Sequence, residues 1–412
     1  MENRKKDFIW NFIGSSINSF NSLFFMIAIN HINLKSEAGV FTFAYSLICL
    51  FFILSTFYNR VYQISNYEKY TPKDFIDFRI LTSVLTITVV TIFSFINNYN
   101  FFKTGVILLI CLFRIIESIS DAVYGILQKN NQLYKSGISL TIKGVGGIIA
   151  FVITDLLTKN ILASLISLII VNVLLFFIYD IKNAKEYIYG IFNFDNLKKI
   201  LKDTLPIFIY SFLAMYVANS SKYILDYFDT AEAQNIFGII FMPSTIIGLC
   251  SSYIVVPIIT NLNNLFKNKD IDKFNKMVRN MMLSLIFIGV FACLCGFTIG
   301  IPVLNIMYGI NLDAYRIHLV IVLIGATFYT LANVYSQVLV LLNVYKEQTL
   351  IYLIMTVVST IICYVLISAF KLTGAIYAYL IFMAILLIMY LFLYYKTLKK
   401  YKRNWFYEIS KY

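Results

Sequence analysis

Arg114, Glu117 and Asp121 stand at i, i+3 and i+7 of one apolar run, so a helix there carries a guanidinium and two carboxylates on a single face. A charge at the centre of a bilayer costs at least ~2.5–3.5 kcal/mol on insertion scales, so that face must look into protein or water. Two more cations meet the same constraint. Lys143 lies about two turns into the following run, beside Gly144, Gly146 and Gly147, and has no carboxylate within a helical turn. Its partner must be Glu117 or Asp121 from the neighbouring helix, or an anionic ligand. Lys222 has Asp226 at i+4. Fixed cations in an apolar medium can hold a phosphate electrostatically. The same spacings also suit self-neutralising pairs, Arg114–Glu117 and Lys222–Asp226, that only specify helix packing.

Uncharged polar residues form a second pattern. Asn11, Ser15, Asn18 and Ser22 recur at steps of four, three and four, flanked by Ser19 and Asn21. Asn219, Ser220 and Ser221 precede Lys222 and Tyr223 in the first helix of the second half. Such residues bond helix to helix or wall a hydrated cavity. Pro206, Pro243 and Pro257 remove backbone bonds inside or at the ends of two helices, as static kinks or as a hinge. We read no nucleophile motif, phosphate loop or metal spacing, which argues against an enzyme. His31 and His318 lie on separate outer segments, and all six cysteines fall within apolar runs as packing residues.

The elements that position these groups follow from composition. Of 412 residues, 60% are hydrophobic and 13% charged, against roughly 25% charged in a soluble domain, which excludes a soluble globule. Apolar runs predict twelve membrane helices near 8–30, 38–58, 80–97, 104–127, 136–155, 161–181, 204–228, 234–258, 280–301, 317–343, 349–369 and 373–395. The first reads as a retained helix, too long for a signal peptide. The expected fold is an all-α integral membrane protein of two six-helix lobes around a central cavity: an N-terminal lobe 1–181, a cytoplasmic linker 182–203 with five lysines, and a C-terminal lobe 204–412 with a basic tail. A short echo between Glu37–Phe41 and Ala233–Phe237 suggests duplication, with like-oriented halves and binding between the lobes. Lys and Arg collect on the cytoplasmic side, and with the N-terminus inside they divide 26 inner to five outer, which places both termini in the cytoplasm. The net charge of +13 is therefore spread over inner loops facing an anionic leaflet and does not indicate nucleic acid.

The stretch Arg60-Val61-Tyr62-Gln63-Ile64-Ser65-Asn66, with Tyr70 and Arg79, resembles the loop after helix 2 in bacterial polysaccharide and O-antigen flippases. A longer match runs from Arg114-Ile115-Ile116-Glu117-Ser118 through Asp121, Tyr124-Gly125 and Gln128-Lys129 to Ser139 and Lys143-Gly144. Leu205-Pro206, Asn219 to Asp226, Ile306-Met307-Tyr308-Gly309 and Gly374-Ala375 fall where that family places similar residues, so the resemblance covers nearly the whole chain. It implies a two-lobed, twelve-helix exporter of the multidrug, oligosaccharidyl-lipid and polysaccharide superfamily in the bacterial cytoplasmic (inner) membrane. Family members often carry Arg at the positions of Lys143 and Lys222, and lysine keeps the charge but loses the bidentate fork.

The expected function is a flippase that moves polyprenyl-pyrophosphate-linked oligosaccharide units from inner to outer leaflet by alternating access. Arg114, Lys143 and Lys222 would bind the diphosphate. Glu117, Asp121, Asp226, Asn18, Asn219, Tyr223 and Gln128 would line the cavity or carry coupling, and Arg60 would stand at the cytoplasmic entrance. Expected partners are the lipid-linked glycan, membrane lipids, and glycan polymerase and chain-length proteins. No cofactor is expected, with protons or sodium as candidate coupling ions. A multidrug exporter of the same superfamily is the first rival, since the buried acids could bind cations. A membrane glycan polymerase is the second, and the short outer loops argue against it.

Overall fold

The computed structural model describes residues 2–57, 60–268 and 270–409. Of the basic residues counted above, Lys269 and Lys411 lie outside them. The described residues form helices joined by short turns, in the order α1 (Glu2–Ile32), α2 (Lys35–Thr56), α3 (Arg60–Ser65), α4 (Pro72–Ile96), α5 (Phe101–Lys129), α6 (Leu133–Thr158), α7 (Ile161–Leu175) and α8 (Lys182–Ala184). Then follow α9 (Phe194–Phe228), α10 (Ala231–Lys267), α11 (Ile271–Cys295), α12 (Ile301–Tyr308), α13 (Arg316–Leu341) and α14 (Lys346–Ile409). Phe176–Ile181 and Gly296–Gly300 are π-helical and join α7 to α8 and α11 to α12 as continuous rods.

Ten stretches of these helices are long and apolar enough to cross a membrane. α5 matches them in length but carries its charges in mid-helix, and α14 breaks at Lys371, where φ is 53° and ψ −132°. Among the described residues this makes twelve rods, at the places the apolar runs predict. Pro206 and Pro243 fall inside α9 and α10; the side chain of Pro257 lies outside the described residues.

Helix starts follow local chemistry. Thr71 accepts from the Asp74 amide while the Asp74 carboxylate accepts from the Thr71 amide and hydroxyl, with Pro72 in the first turn. Asn100, Asn160, Thr230 and Asp270 cap α5, α7, α10 and α11 through their side-chain oxygens. Within the spans, hydroxyls such as those of Thr42, Thr86 and Ser94 donate to the carbonyl four residues back, which satisfies them in an apolar medium.

The chain divides into two compact units, Met1–Met215 and Tyr216–Tyr412, with the boundary inside α9. In the first unit α1 packs along α6, α6 along α7, and α5 against α2, α4 and α7. The α1–α6 crossing is a backbone approach: a Cβ on Gly14 would meet the Gly137 carbonyl, and one on Gly137 the backbone of Trp10. In the second unit α13 packs against α10, α11 and α14.

Segment 182–203 belongs to the first unit and is bolted to it. Leu197 and Ile200, from the start of α9, are buried with Phe57, Tyr70, Phe75 and Phe78. Phe208 stacks on Phe57 at 4.2 Å between ring centroids. The Asn196 amide donates to Asp74 at 3.1 Å, and Gly190, at φ +119°, sits so close to Thr71 that a side chain there would collide with it.

Candidate functional site

α3, α4, α5 and α6 carry their charged residues into one cavity of about 340 Å³, built wholly from residues of the first unit. Arg60, Arg79, Arg114 and Lys143 line it, together with Glu117 and Asp121. Asn18 and Asn21, joined by a 3.1 Å bond, face it from α1, so part of the polar stripe of that helix is a cavity wall. Ser19 instead returns its hydroxyl to the Ser15 carbonyl.

The α5 stripe divides its carboxylates between two sets of cations. Arg114 pairs with Glu117 at 2.5 Å, donates to the Tyr45 hydroxyl at 2.5 Å, and lies over the rings of Tyr45 and Phe52 at 4.8 and 5.4 Å. Planar guanidinium on an aromatic face is a favourable arrangement that lysine would not reproduce. One helical turn on, Asp121 is shared: Arg60 reaches one oxygen and Arg79 the other, each at 2.9 Å. Arg60 also donates to Gln128 at 3.1 Å, and Arg79 to the Thr56 carbonyl.

Arg79 is one of the 26 inner-side cations of the sequence. It is only 1% exposed and belongs to the cavity. No i+3 or i+4 acid marks it in the sequence, since its partner is on another helix.

The expected partner of Lys143 is corrected. It is neither Glu117 nor Asp121 but Asp180, at 2.5 Å, with the Ser120 hydroxyl accepting a second bond at 2.7 Å. Asp180 is wholly buried and also accepts from Ser139, which is bonded to Tyr124. Asp180 lies on the π-helical turn Phe176–Ile181, where an extra residue per turn throws off a face drawn at 3.6 residues. Asp155, further along α6, is buried and accepts from Asn33 and Ser164.

α3 carries Arg60 on one side and Tyr62 on another. The Tyr62 hydroxyl donates to Asp203 at 2.6 Å, and Lys69 reaches the same carboxylate at 3.3 Å. Lys69, outside the spans, is held above the ordinary lysine pKa by its contact with Tyr70 and then by Asp203. Gln63 donates to the Ala122 carbonyl and is packed onto Gly125, where a side chain would displace it.

Lys222, Asn219, Tyr223 and Asp226 lie on the part of α9 that belongs to the second unit, all half-buried. The Lys222 ammonium is 4.4 Å from the centre of the Phe241 ring, and its carbonyl accepts from Gln234. Ser220 and Ser221 bond to Cys363, and Tyr216 to Thr360. Among the described residues no group of His, Cys, Asp and Glu could hold a metal ion.

Counting Asp180 behind Lys143, the cavity region holds four cations and three carboxylates, one positive charge in excess. No family model matches the chain. A capsular polysaccharide biosynthesis protein, CapF of Staphylococcus aureus, is 24% identical over 393 residues, covering 94% of this chain and 98% of that one. An inward-facing multidrug resistance MATE family transporter of the MOP superfamily superposes with a TM-score of 0.72 at 11% identity, over 95% of this chain and 99% of the other. The lipid II flippase MurJ in its inward closed conformation gives 0.72 at 16%, over 96% and 90%.

The chain has the fold of the MOP-superfamily transporters. It is a multi-pass membrane protein, and its resemblance to polysaccharide flippases is supported by the likeness to CapF and to MurJ. Within the MOP fold, the cluster on α3 to α6 is the part of this chain where charged chemistry is concentrated and open to a cavity.

Proposed function

We propose that this protein is a flippase for polyprenyl-pyrophosphate-linked oligosaccharide units, precursors of capsule, O-antigen or a related glycan, working in the bacterial cytoplasmic membrane. The observation that carries the reading is the cation excess of the cavity, and above all the two guanidiniums, Arg60 and Arg79, that share the single carboxylate of Asp121. A diphosphate presents several acceptor oxygens, and arginine forks bind such groups bidentately. Arg114 and Lys143 would bind the same headgroup in the first unit, and Lys222 would be a diphosphate-binding cation of the second. Asn18, Asn21 and Gln128 offer amides to sugar hydroxyls. The lipid tail would stay in the bilayer while the headgroup crosses inward to outward, with both termini in the cytoplasm.

The rival reading, export of cationic drugs, is supported by the likeness to the multidrug transporter and by Glu117 and Asp121 in the cavity. A cation site wants excess carboxylate, and here the balance runs the other way. Reconstituted vesicles separate the two. The protein should move a fluorescent polyprenyl diphosphate glycan between leaflets, and Arg60→Gln or Arg114→Gln should lose that activity while folding normally. Glycan movement untouched by either change, or drug efflux in its place, would sink the assignment.

A further inference from the structure

Lys143 and Asp180 form a pair with unequal access. Lys143 lines the cavity and is 7% exposed, whereas Asp180 has no exposure and lies behind it. Both carboxylate oxygens are engaged, one by the Lys143 ammonium and one by the Ser139 hydroxyl. The other titratable groups around it are few. α5 brings Tyr124 and, further off, Glu117 and Asp121; α6 brings Lys143 and Tyr134; Tyr179 is its neighbour on the π-turn. α7 carries no titratable side chain, and α8 only Lys182. The ammonium is thus the one cation in contact with this carboxylate among the described residues.

An anion that enters the cavity can compete for that ammonium. If it does, Asp180 is left as a buried carboxylate without a counter-charge, the state that costs most in an apolar interior. Taking up a proton removes the charge. We propose that binding of the diphosphate headgroup is linked to protonation of Asp180, Lys143 passing from one acid to the other. The inference rests on the headgroup reading given above. In the exchange, the Lys143 N–H contact to Asp180 breaks, a contact to a phosphate oxygen forms, and one proton moves from solvent water to the carboxylate. No covalent bond of the ligand changes.

Linkage sets the sign: a ligand whose binding takes up one proton binds more tightly as pH falls, by up to about tenfold per unit. The purified full chain in detergent, titrated calorimetrically with farnesyl diphosphate at one pH in buffers of different ionisation enthalpy, measures the proton count directly. Uptake approaching one proton per ligand is expected. The ligand's own titration contributes release, of opposite sign, and is isolated by Asp180→Asn and by the charge-neutral pair Lys143→Gln with Asp180→Asn. Both should bind through the arginines with the uptake gone.

Binding without proton uptake, uptake unchanged in the Asn variants, or binding that instead requires sodium overturns this inference while leaving the headgroup reading intact. No binding by wild type in any buffer overturns the headgroup reading and this one with it. Should a variant fail to fold, the wild-type buffer series repeated above the last pKa of the diphosphate, where the ligand has no proton to release, gives the answer without a substitution.

Discussion

Arg79 donates to Asp121 across 2.9 Å from a side chain that is almost wholly enclosed, while the acid itself is 26% exposed. The arginine is therefore a fixed part of the protein interior, and the carboxylate it holds faces the cavity. Breaking a buried ion pair costs about 3–5 kcal/mol, but Asp121 keeps Arg60, so Arg79→Met should cost less, about 2–3 kcal/mol. Arg79→Lys retains the charge and loses the second bond, to the Thr56 carbonyl. Thermal unfolding in detergent should rank wild type above Lys above Met; Met equal to wild type would mean that the pair adds nothing.

The Lys143–Asp180 pair makes a sharper stability test. Lys143→Met or Asp180→Leu alone strands a charge in the interior and should cost about 3–5 kcal/mol. The double change removes both charges and should recover most of that loss, as apolar replacements of buried pairs do. A double variant as unstable as the sum of the singles would show that the two side chains act independently.

At the α1–α6 crossing, Gly137 faces the backbone of Trp10, which cannot rotate away as a side chain could. Gly137→Val should separate the helices and cost about 1–3 kcal/mol by overpacking. Gly248, around which nothing lies within contact distance, should accept Ala with little change. Comparing the two melting temperatures checks the crossing.

Tyr62 ties α3, and with it Arg60, to Asp203 at the start of α9. Removing the hydroxyl in Tyr62→Phe should cost about 0.5–1.5 kcal/mol, felt locally because the bond is at the surface. Hydrogen exchange at residues 60–66 should then speed up by about twofold to tenfold. Equal exchange in the two proteins would show that Asp203 does not hold this helix.

Much of this architecture was legible in the residue order. Twelve apolar stretches, each ended by charge or by a capping residue, demand twelve crossings, because apolar length is a local property that lipid reads directly. Arg114, Glu117 and Asp121 could be put on one face for the same reason: an α-helix has a fixed period. That periodicity also recovered the i+3 pair of Arg114 and Glu117. It went astray at Lys143, whose partner sits on a π-helical turn that departs from the period, and at Arg79, which reads as one more loop cation.

The sequence by itself therefore determined that the chain crosses a membrane many times, and that several charges must hide from lipid. Which acid meets which base was decided only by tertiary packing. Side chains 37 to 61 residues apart, such as Lys143 with Asp180, Arg79 with Asp121 and Arg60 with Asp121, are brought within 3 Å by helices packed side by side. No local pattern encodes those distances, because each depends on the rotation and depth of one helix against another.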